Sequence, residues 1–329
     1  VPKRKTPRAT IRLSDDARPG ITRRRCGRGW QYFDASGARI ADRDEIDRLN
    51  AIGLPPAYRD CWFCPDPDGH IQAIGYDERG RKQYRYHPRF TARRDRQKYR
   101  RLAAFGRALA KLRRRVEADL AGKTTSPEAV TAAVVRLIDE TYMRVGNEDY
   151  ARENRSFGAT TLLRRHVRIA RGTATIRFAG KHGIVHVVEV IDRRLARVLA
   201  RMRELPGARL FEYVDAAGEA RPVGSAEVNA YIRAASGGDF TAKDFRTWGA
   251  SVIAYAALAT RAKGLRAVLA PVAEALGNTP AIARKSYVHP ALVELAKAKA
   301  GERLPPLPRR TRYLSRAERG LLAFLEGAA

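Results

Sequence analysis

Tyr287 lies in the stretch NTPAIARKSYVHP (278–290), just after Arg284 and Lys285 and shortly before the helix-breaking Pro290. A phenol with its ordinary pKa of about 10 is a poor nucleophile at neutral pH, and nearby positive charge would change that. Arg144, Lys181, Arg246 and Asn278 supply the charges and a hydrogen-bond donor. With Tyr287 they suffice for metal-free transesterification of a phosphodiester. The tyrosine hydroxyl becomes bonded to phosphorus, and two guanidiniums bracket the nonbridging oxygens. The lysine protonates the departing 5′ oxygen, and the amide donates one more hydrogen bond. The plainer alternative is that Tyr287 only anchors a helix end in the core.

The elements that must position these residues fall into two textures. Residues 20–90 read as short strands (ITRRRC, WQYFD, DCWFC, HIQAIGY, KQYRY) separated by turn signals, with one short helix opened by Asp42-x-x-Glu45. This predicts a small, mainly antiparallel sheet domain. From residue 91 the pattern is helical, with Leu102, Phe105, Leu109, Leu112 and Val116 on one face and many arginines around the rest. Ser126-Pro127 starts a second helix, expected to end near Gly146 with Arg144 in its last turn. HVRIA, TATIRFA and IVHVVEV form a small three-stranded sheet, with Lys181 at the tip of the second hairpin. The remainder is helical. Asp192, Ser225, Thr241-x-x-Asp244 and Thr279-Pro280 are its start signals, and the last of these helices carries Tyr287. The fold class is therefore α+β: a β-rich domain over 20–90, a mainly α-helical domain over 91–329, and a basic flexible arm over 1–19.

The 329 residues carry 64 Lys+Arg against 35 Asp+Glu, a formal net charge of +29. Such an excess points to a polyanionic partner, nucleic acid first. A membrane partner is not expected, because no stretch approaches ~18 consecutive apolar residues and no signal-peptide core stands near the N-terminus. Three cysteines make no closed disulfide framework, which favours a reducing cytoplasm. Cys61-x-x-Cys64 has no second ligand pair at metal-site spacing and reads as core cysteine. Gly122-Lys123-Thr124 lacks the earlier glycine of a phosphate-binding loop, since position 117 is Glu117. No nucleotide cofactor and no metal is expected.

MRVGNEDYARENRSFGATTL (143–162), FAGKHGIVH (178–186), AKDFRTWG (242–249) and GNTPAIARKSYVHP (277–290) resemble the active-site segments of type IB DNA topoisomerases of the poxvirus-like bacterial kind. GRKQYRYHPRF (80–90) is similar to the DNA-reading strand of that group's N-terminal domain, and the resemblance runs from about residue 20 onward. It implies that Arg144, Lys181, Arg246 and Tyr287 are the two catalytic arginines, the lysine acid and the nucleophile. Asn278 falls where poxvirus and many other members have histidine, which keeps a donor but removes any imidazolium.

The resemblance further implies that Gln83, Tyr84 and Tyr86 contact DNA in the groove. Tyr150, Lys243 and Arg284 match DNA-contacting positions near the site, and Arg93 and Arg94 suit a strap across the duplex. The implied enzyme is a monomer that encircles duplex DNA as a clamp at the bacterial nucleoid and relaxes supercoils without ATP or metal. Two rivals share parts of the pattern. A tyrosine recombinase typically carries His-x-x-Arg where this chain has Lys243-Asp244-Phe245-Arg246, and an architectural DNA-binding protein would have no use for the whole basic set with Tyr287.

Overall fold

Alternating short strands build the first part of the chain. β1 (Thr22–Cys26) pairs antiparallel with β2 (Gly29–Phe33), and α1 (Arg43–Ala51) follows, its N-terminal amide at Asp44 capped by Asp42. β3 (Arg59–Phe63), β4 (Ile71–Tyr76) and β5 (Lys82–Tyr86) form an antiparallel sheet with β4 in the centre. Ile21, Tyr32, Leu49, Leu54, Phe63 and Ala73 make its core, with Tyr32 edge-on to Phe63. Cys64 is buried beside Ser14, and Cys61 is half-buried with its thiol toward the Tyr58 carbonyl.

The computed structural model describes residues 10–122, 126–205, 207–298 and 304–327. The chain separates into two compact units that meet between Lys98 and Tyr99. The first nine residues of the expected arm, and Lys123-Thr124 of the rejected phosphate loop, lie outside the described residues. Residues 10–19 are tied to the sheet unit: Arg12 exchanges backbone bonds with Asp68 and His70, and the Arg18 carbonyl accepts from Trp62 Nε1 at 3.0 Å. Backbone pairing of this kind is invisible to composition, which marks the segment only as basic.

α2 (Pro88–Leu120) begins in the first unit and continues into the second, where Leu102, Phe105, Leu109, Leu112 and Val116 are each no more than 3% exposed. That stripe is the one its helical spacing predicts. α3 (Pro127–Thr141) starts on the Ser126 cap and buries an apolar run from Ala129 to Ile138. α4 (Glu148–Asn154) is short. β6 (Val167–Ala170), β7 (Thr173–Ala179) and β8 (Val185–Val190) form the antiparallel meander, with β7 central. α5 (Arg193–Glu204) is capped by Asp192. The hairpin of β9 (Glu212–Val214) and β10 (Ala220–Pro222) is not foreseen by the sequence, because three-residue strands are too short to show a period.

α6 (Ser225–Ser236), α7 (Ala242–Ala259), α8 (Gly264–Leu276), α9 (Pro280–Ser286), α10 (Pro290–Lys297) and α11 (Arg316–Gly327) complete the helical unit. α7 is its axis. Phe245 and Trp248 from α7 pack edge-on against Phe105 of α2, and Gly106 allows that approach, since a Cβ there would lie 2.3 Å from the indole. Removing an aromatic from such a cluster costs about 3–5 kcal/mol. Partly buried Arg113 of α2 pairs with buried Asp139 of α3 at 2.7 Å and with buried Glu318 of α11 at 2.7 Å, and Trp248 Nε1 donates to Glu318. Four helices are thus joined through one satisfied ionic group.

Candidate active site

α3 stops five residues before the expected Gly146. Tyr142 turns into the left-handed region at φ 54°, so Arg144 lies in irregular chain beyond the helix rather than in its last turn. The cause is tertiary. Arg246, on α7, donates one guanidinium nitrogen to the Tyr142 carbonyl and Nη2 to the Leu276 carbonyl at 3.0 Å, satisfying two helix-end acceptors. Gly249, one turn further along α7, makes room for the Tyr142 ring, because a Cβ there would be 2.3 Å from Cε1.

The segment after Tyr142 is then pinned in place. The Arg144 carbonyl accepts from Ala159 N at 2.8 Å, and the Val145 carbonyl accepts from Thr160 N at 2.7 Å. Gly158 is required there: a Cβ would fall 2.6 Å from the Arg144 carbonyl oxygen. Phe157 N donates to the Ala179 carbonyl at 2.8 Å, which ties this same turn to the end of β7. MRVGN, FGATT and the lysine hairpin, well separated in sequence, are therefore bonded neighbours.

On the other side, Gly277 ends α8 at φ 58° and Asn278 follows, its N–H bonded to the Ala273 carbonyl at 2.9 Å. Arg144 Nη2 donates to Asn278 Oδ1 at 3.2 Å. Asn278 Nδ2 is buried with no partner, a free donor inside the site. Thr279 caps α9 by accepting from Ile282 N, with Pro280 as its first residue. Tyr287 falls just past the last turn of α9, and buried Ser251 of α7 holds the chain there: its hydroxyl donates to the Thr247 carbonyl at 2.9 Å, lies 3.4 Å from the Tyr287 carbonyl and accepts from His289 N at 3.1 Å.

The Arg246 guanidinium stands 5.0 Å over the Tyr287 ring. Burial by itself would raise the pKa of the half-buried phenol. The charge and hydrogen bonding of Arg246, then the charges of Arg144 and Lys243, outweigh it and bring the phenol below its ordinary value. Arg246 itself is only 4% exposed, and its pKa is lowered by burial first and by Arg144 second, with Tyr287 opposing. A guanidinium still keeps its charge under such a shift. The Tyr287 ring packs partly against the helical core, and it also shares its surroundings with two arginines.

Arg144, Arg246, Asn278 and Tyr287 thus come together. Lys181 stands apart from their direct contacts, exposed in the single turn Lys181–Gly183 at the tip of the β7–β8 hairpin. What the four offer chemically is a phenol whose anion the Arg246 and Arg144 charges favour, with a free amide donor beside Arg144, groups of the kinds that receive a phosphodiester.

A family model of the eukaryotic DNA topoisomerase I catalytic core matches residues 87–298, and one of the bacterial DNA topoisomerase IB N-terminal domain matches residues 29–77. The chain belongs to the type IB DNA topoisomerases. The DNA topoisomerase 1B of Acanthamoeba polyphaga mimivirus is 31% identical over 292 residues, covering 84% of this chain and 87% of that relative. The DNA topoisomerase 1B of vaccinia virus, strain Copenhagen, is 22% identical over 237 residues, covering 69% and 72%. A solved complex of the XerH site-specific recombinase aligns with 56% of the chain and half of its own at 19% identity and a TM-score of 0.37.

The DNA-contact positions expected in this topoisomerase are spread over both units. In the sheet unit Tyr84 and Tyr86 are each 41% exposed and stacked at 5.9 Å, and Tyr86 continues onto Phe90 at 5.7 Å. Gln83 points to the other face of β5 and donates to Asp77 at 3.0 Å, so its amide is engaged. Arg93 and Arg94 are exposed on α2, and Arg94 lies 5.7 Å over Phe90. In the helical unit Tyr150 is exposed on α4, Lys243 in the first turn of α7 and Arg284 in the last turn of α9. Sequence reasoning missed three supporting residues: Tyr142, whose carbonyl binds Arg246; Ser251, which holds the Tyr287 backbone; and His186. Only His186 had a sequence signal, its place on the inward side of the strand returning from Lys181.

Proposed function

We propose that this type IB topoisomerase relaxes supercoiled duplex DNA by a tyrosine transesterification that uses neither ATP nor a metal, with Tyr287 as the nucleophile. The observation that carries the reading is the Arg246 guanidinium over the Tyr287 ring, with Arg144 and the free Asn278 amide beside it. The phenol loses its proton to water as its oxygen attacks phosphorus. The bond from phosphorus to the 5′ oxygen breaks, and the Lys181 ammonium gives that oxygen its proton. The products are a 3′-phosphotyrosyl ester and a 5′ hydroxyl. Strand rotation releases supercoils, and the hydroxyl reverses the step. One phosphoester replaces another, so no external energy source is required.

Arg144, Arg246 and Asn278 serve as donors to the nonbridging oxygens in this scheme. Tyr84, Tyr86, Arg93 and Arg94 of one unit, and Tyr150, Lys243 and Arg284 of the other, hold the duplex. A monomer closing both units around DNA at the nucleoid accommodates contacts from each. Lys-x-x-Arg in place of the recombinase His-x-x-Arg favours relaxation over site-specific strand exchange.

The test is stepwise relaxation of a supercoiled plasmid in EDTA without ATP. Wild-type protein should relax it, and Tyr287→Phe should not, while still binding DNA. An inactive wild-type protein overturns the reading, and strand exchange between two paired sites would support the recombinase instead.

A further inference from the structure

The lysine hairpin must be brought to the rest of the site, and its own hydrogen bonds do not do this. Gly180 N donates to the Ile184 carbonyl at 2.8 Å and Gly183 N to the Gly180 carbonyl at 3.0 Å, so the tip closes on itself. Phe157 N holds only the hairpin's base, at Ala179.

One side chain reaches across. His186 on β8 pairs in register with Phe178 on β7, and the two rings stack at 5.2 Å with an interplanar angle of 18°. The imidazole is wedged between two glycines from distant parts of the chain. A Cβ on Gly180, the residue before Lys181, would lie 2.6 Å from Nε2 and Cδ2 of the ring. A Cβ on Gly277, the residue before Asn278, would lie 2.2 Å from Cε1. The left-handed backbone at Gly277 asks for glycine in any case, but Gly180 has negative φ, so at that position the ring is the reason glycine is needed.

We infer that His186 is a positioning residue, a flat spacer that docks the hairpin bearing Lys181 against the loop bearing Asn278. The inference rests on the proposed role of Lys181 as the acid. Burial, and after it the charges of Arg144 and Arg246, lower the pKa of the imidazole, so the neutral ring adds no third cation beside the arginines. Phe178 and the paired glycines require a thin ring, and imidazole is the smallest aromatic side chain available.

The experiment compares single-turnover cleavage of an ordinary DNA strand with cleavage of one whose scissile 5′-bridging oxygen is replaced by sulfur, a leaving group that needs no proton. Thermal unfolding and DNA binding of each variant are measured first. His186→Ala should cleave the ordinary strand roughly 10–100-fold more slowly, the scale expected for a misplaced catalytic group. It should recover on the sulfur substrate, as Lys181→Ala should. The double variant should be no slower than Lys181→Ala alone. Gly180→Ala, which pushes the same ring from the other side, should show the same pattern and provides a second variant if His186→Ala is unstable.

Equal losses of His186→Ala on both substrates would overturn the inference, because they would place the ring's action on the phosphorus or on the whole fold. Wild-type rates for both His186→Ala and Gly180→Ala would overturn it as well. If Lys181→Ala itself gains nothing from sulfur, the role of Lys181 fails first, and that result is distinguishable because it is seen without touching His186.

Discussion

Arg144 donates to the Asn278 side-chain carbonyl at 3.2 Å, joining residues 134 positions apart in the chain and leaving the asparagine Nδ2 buried and unpartnered. One arginine thus orients an amide so that its NH₂ group faces away from the guanidinium. An unsatisfied buried donor is costly in a resting protein and useful in one that meets a phosphate oxygen.

Asn278→Asp tests that orientation. Aspartate keeps the acceptor for Arg144 but replaces the free donor with a negative oxygen facing the phosphate. Cleavage should fall below that of Asn278→Ala, which loses the donor, and with it the acceptor for Arg144, at a cost of about 10²–10³-fold. Single-turnover cleavage rates decide it, and an aspartate variant as fast as the alanine one would contradict the assigned geometry.

Tyr287 should ionise below an ordinary tyrosine, because the three nearby cations outweigh its burial. A lowered phenol pKa means more phenolate at any given pH, so cleavage by the bound enzyme should rise with pH and level off below the usual tyrosine range. Lys243→Ala removes one of those charges and should move the profile to higher pH. Ultraviolet difference titration of wild type against Tyr287→Phe reports the phenol directly. A profile unmoved, or moved downward, by the lysine change would sink this account.

The Arg113–Asp139–Glu318 group should set acid stability of the helical unit. Burial raises the Glu318 pKa, but bonding and charge from Arg113 more than reverse this and leave it below the ordinary glutamate value. For a carboxylate lowered on folding, the stabilisation is full above the unfolded-state pKa and is lost as pH falls through the folded one. Glu318→Gln should therefore destabilise by about 1.5–3 kcal/mol at neutral pH, the scale of a hydrogen bond to a charged group, while Asp139 still neutralises Arg113. The loss should shrink in acid, and denaturant melts across a pH series would show whether it does.

Gly249→Ala should damage activity through packing. The added methyl meets the Tyr142 ring, whose carbonyl receives Arg246, so overpacking of about 1–3 kcal/mol comes with displacement of both arginines. Cleavage should fall further than that stability loss explains at a temperature where the variant is folded. Full activity in a folded variant would show that the Tyr142 ring is free to move without consequence.

Tyr84→Ala with Tyr86→Ala should weaken duplex binding and leave cleavage at saturating protein near wild type, because the stacked pair lies on β5 of the sheet unit. The salt dependence should stay nearly unchanged. An Arg93→Ala or Arg94→Ala change should instead reduce the slope of log K against log salt by about 0.9 for each phosphate left without its cation. Fluorescence anisotropy over a salt series separates the two kinds of contact.

The sequence by itself determined what is periodic or chemical. It determined the apolar stripe from Leu102 to Val116, the strands on both sides of Lys181, the caps at Ser126, Asp192 and Thr279, and the types of residue able to act on a phosphodiester. Its resemblance to type IB topoisomerases was carried by segments that tertiary structure then placed side by side. Only the tertiary structure decided where α3 ends, because the acceptor at Tyr142 is satisfied by Arg246 from another helix. It also decided that Arg12 pairs with the backbone of the sheet unit, and that Gly180 and Gly277 face one imidazole. The physical reason is the same in each case: local propensity acts over a few residues, whereas these contacts, the hairpin's own Gly180–His186 aside, join positions dozens to more than a hundred residues apart, and spacing along the chain does not encode them.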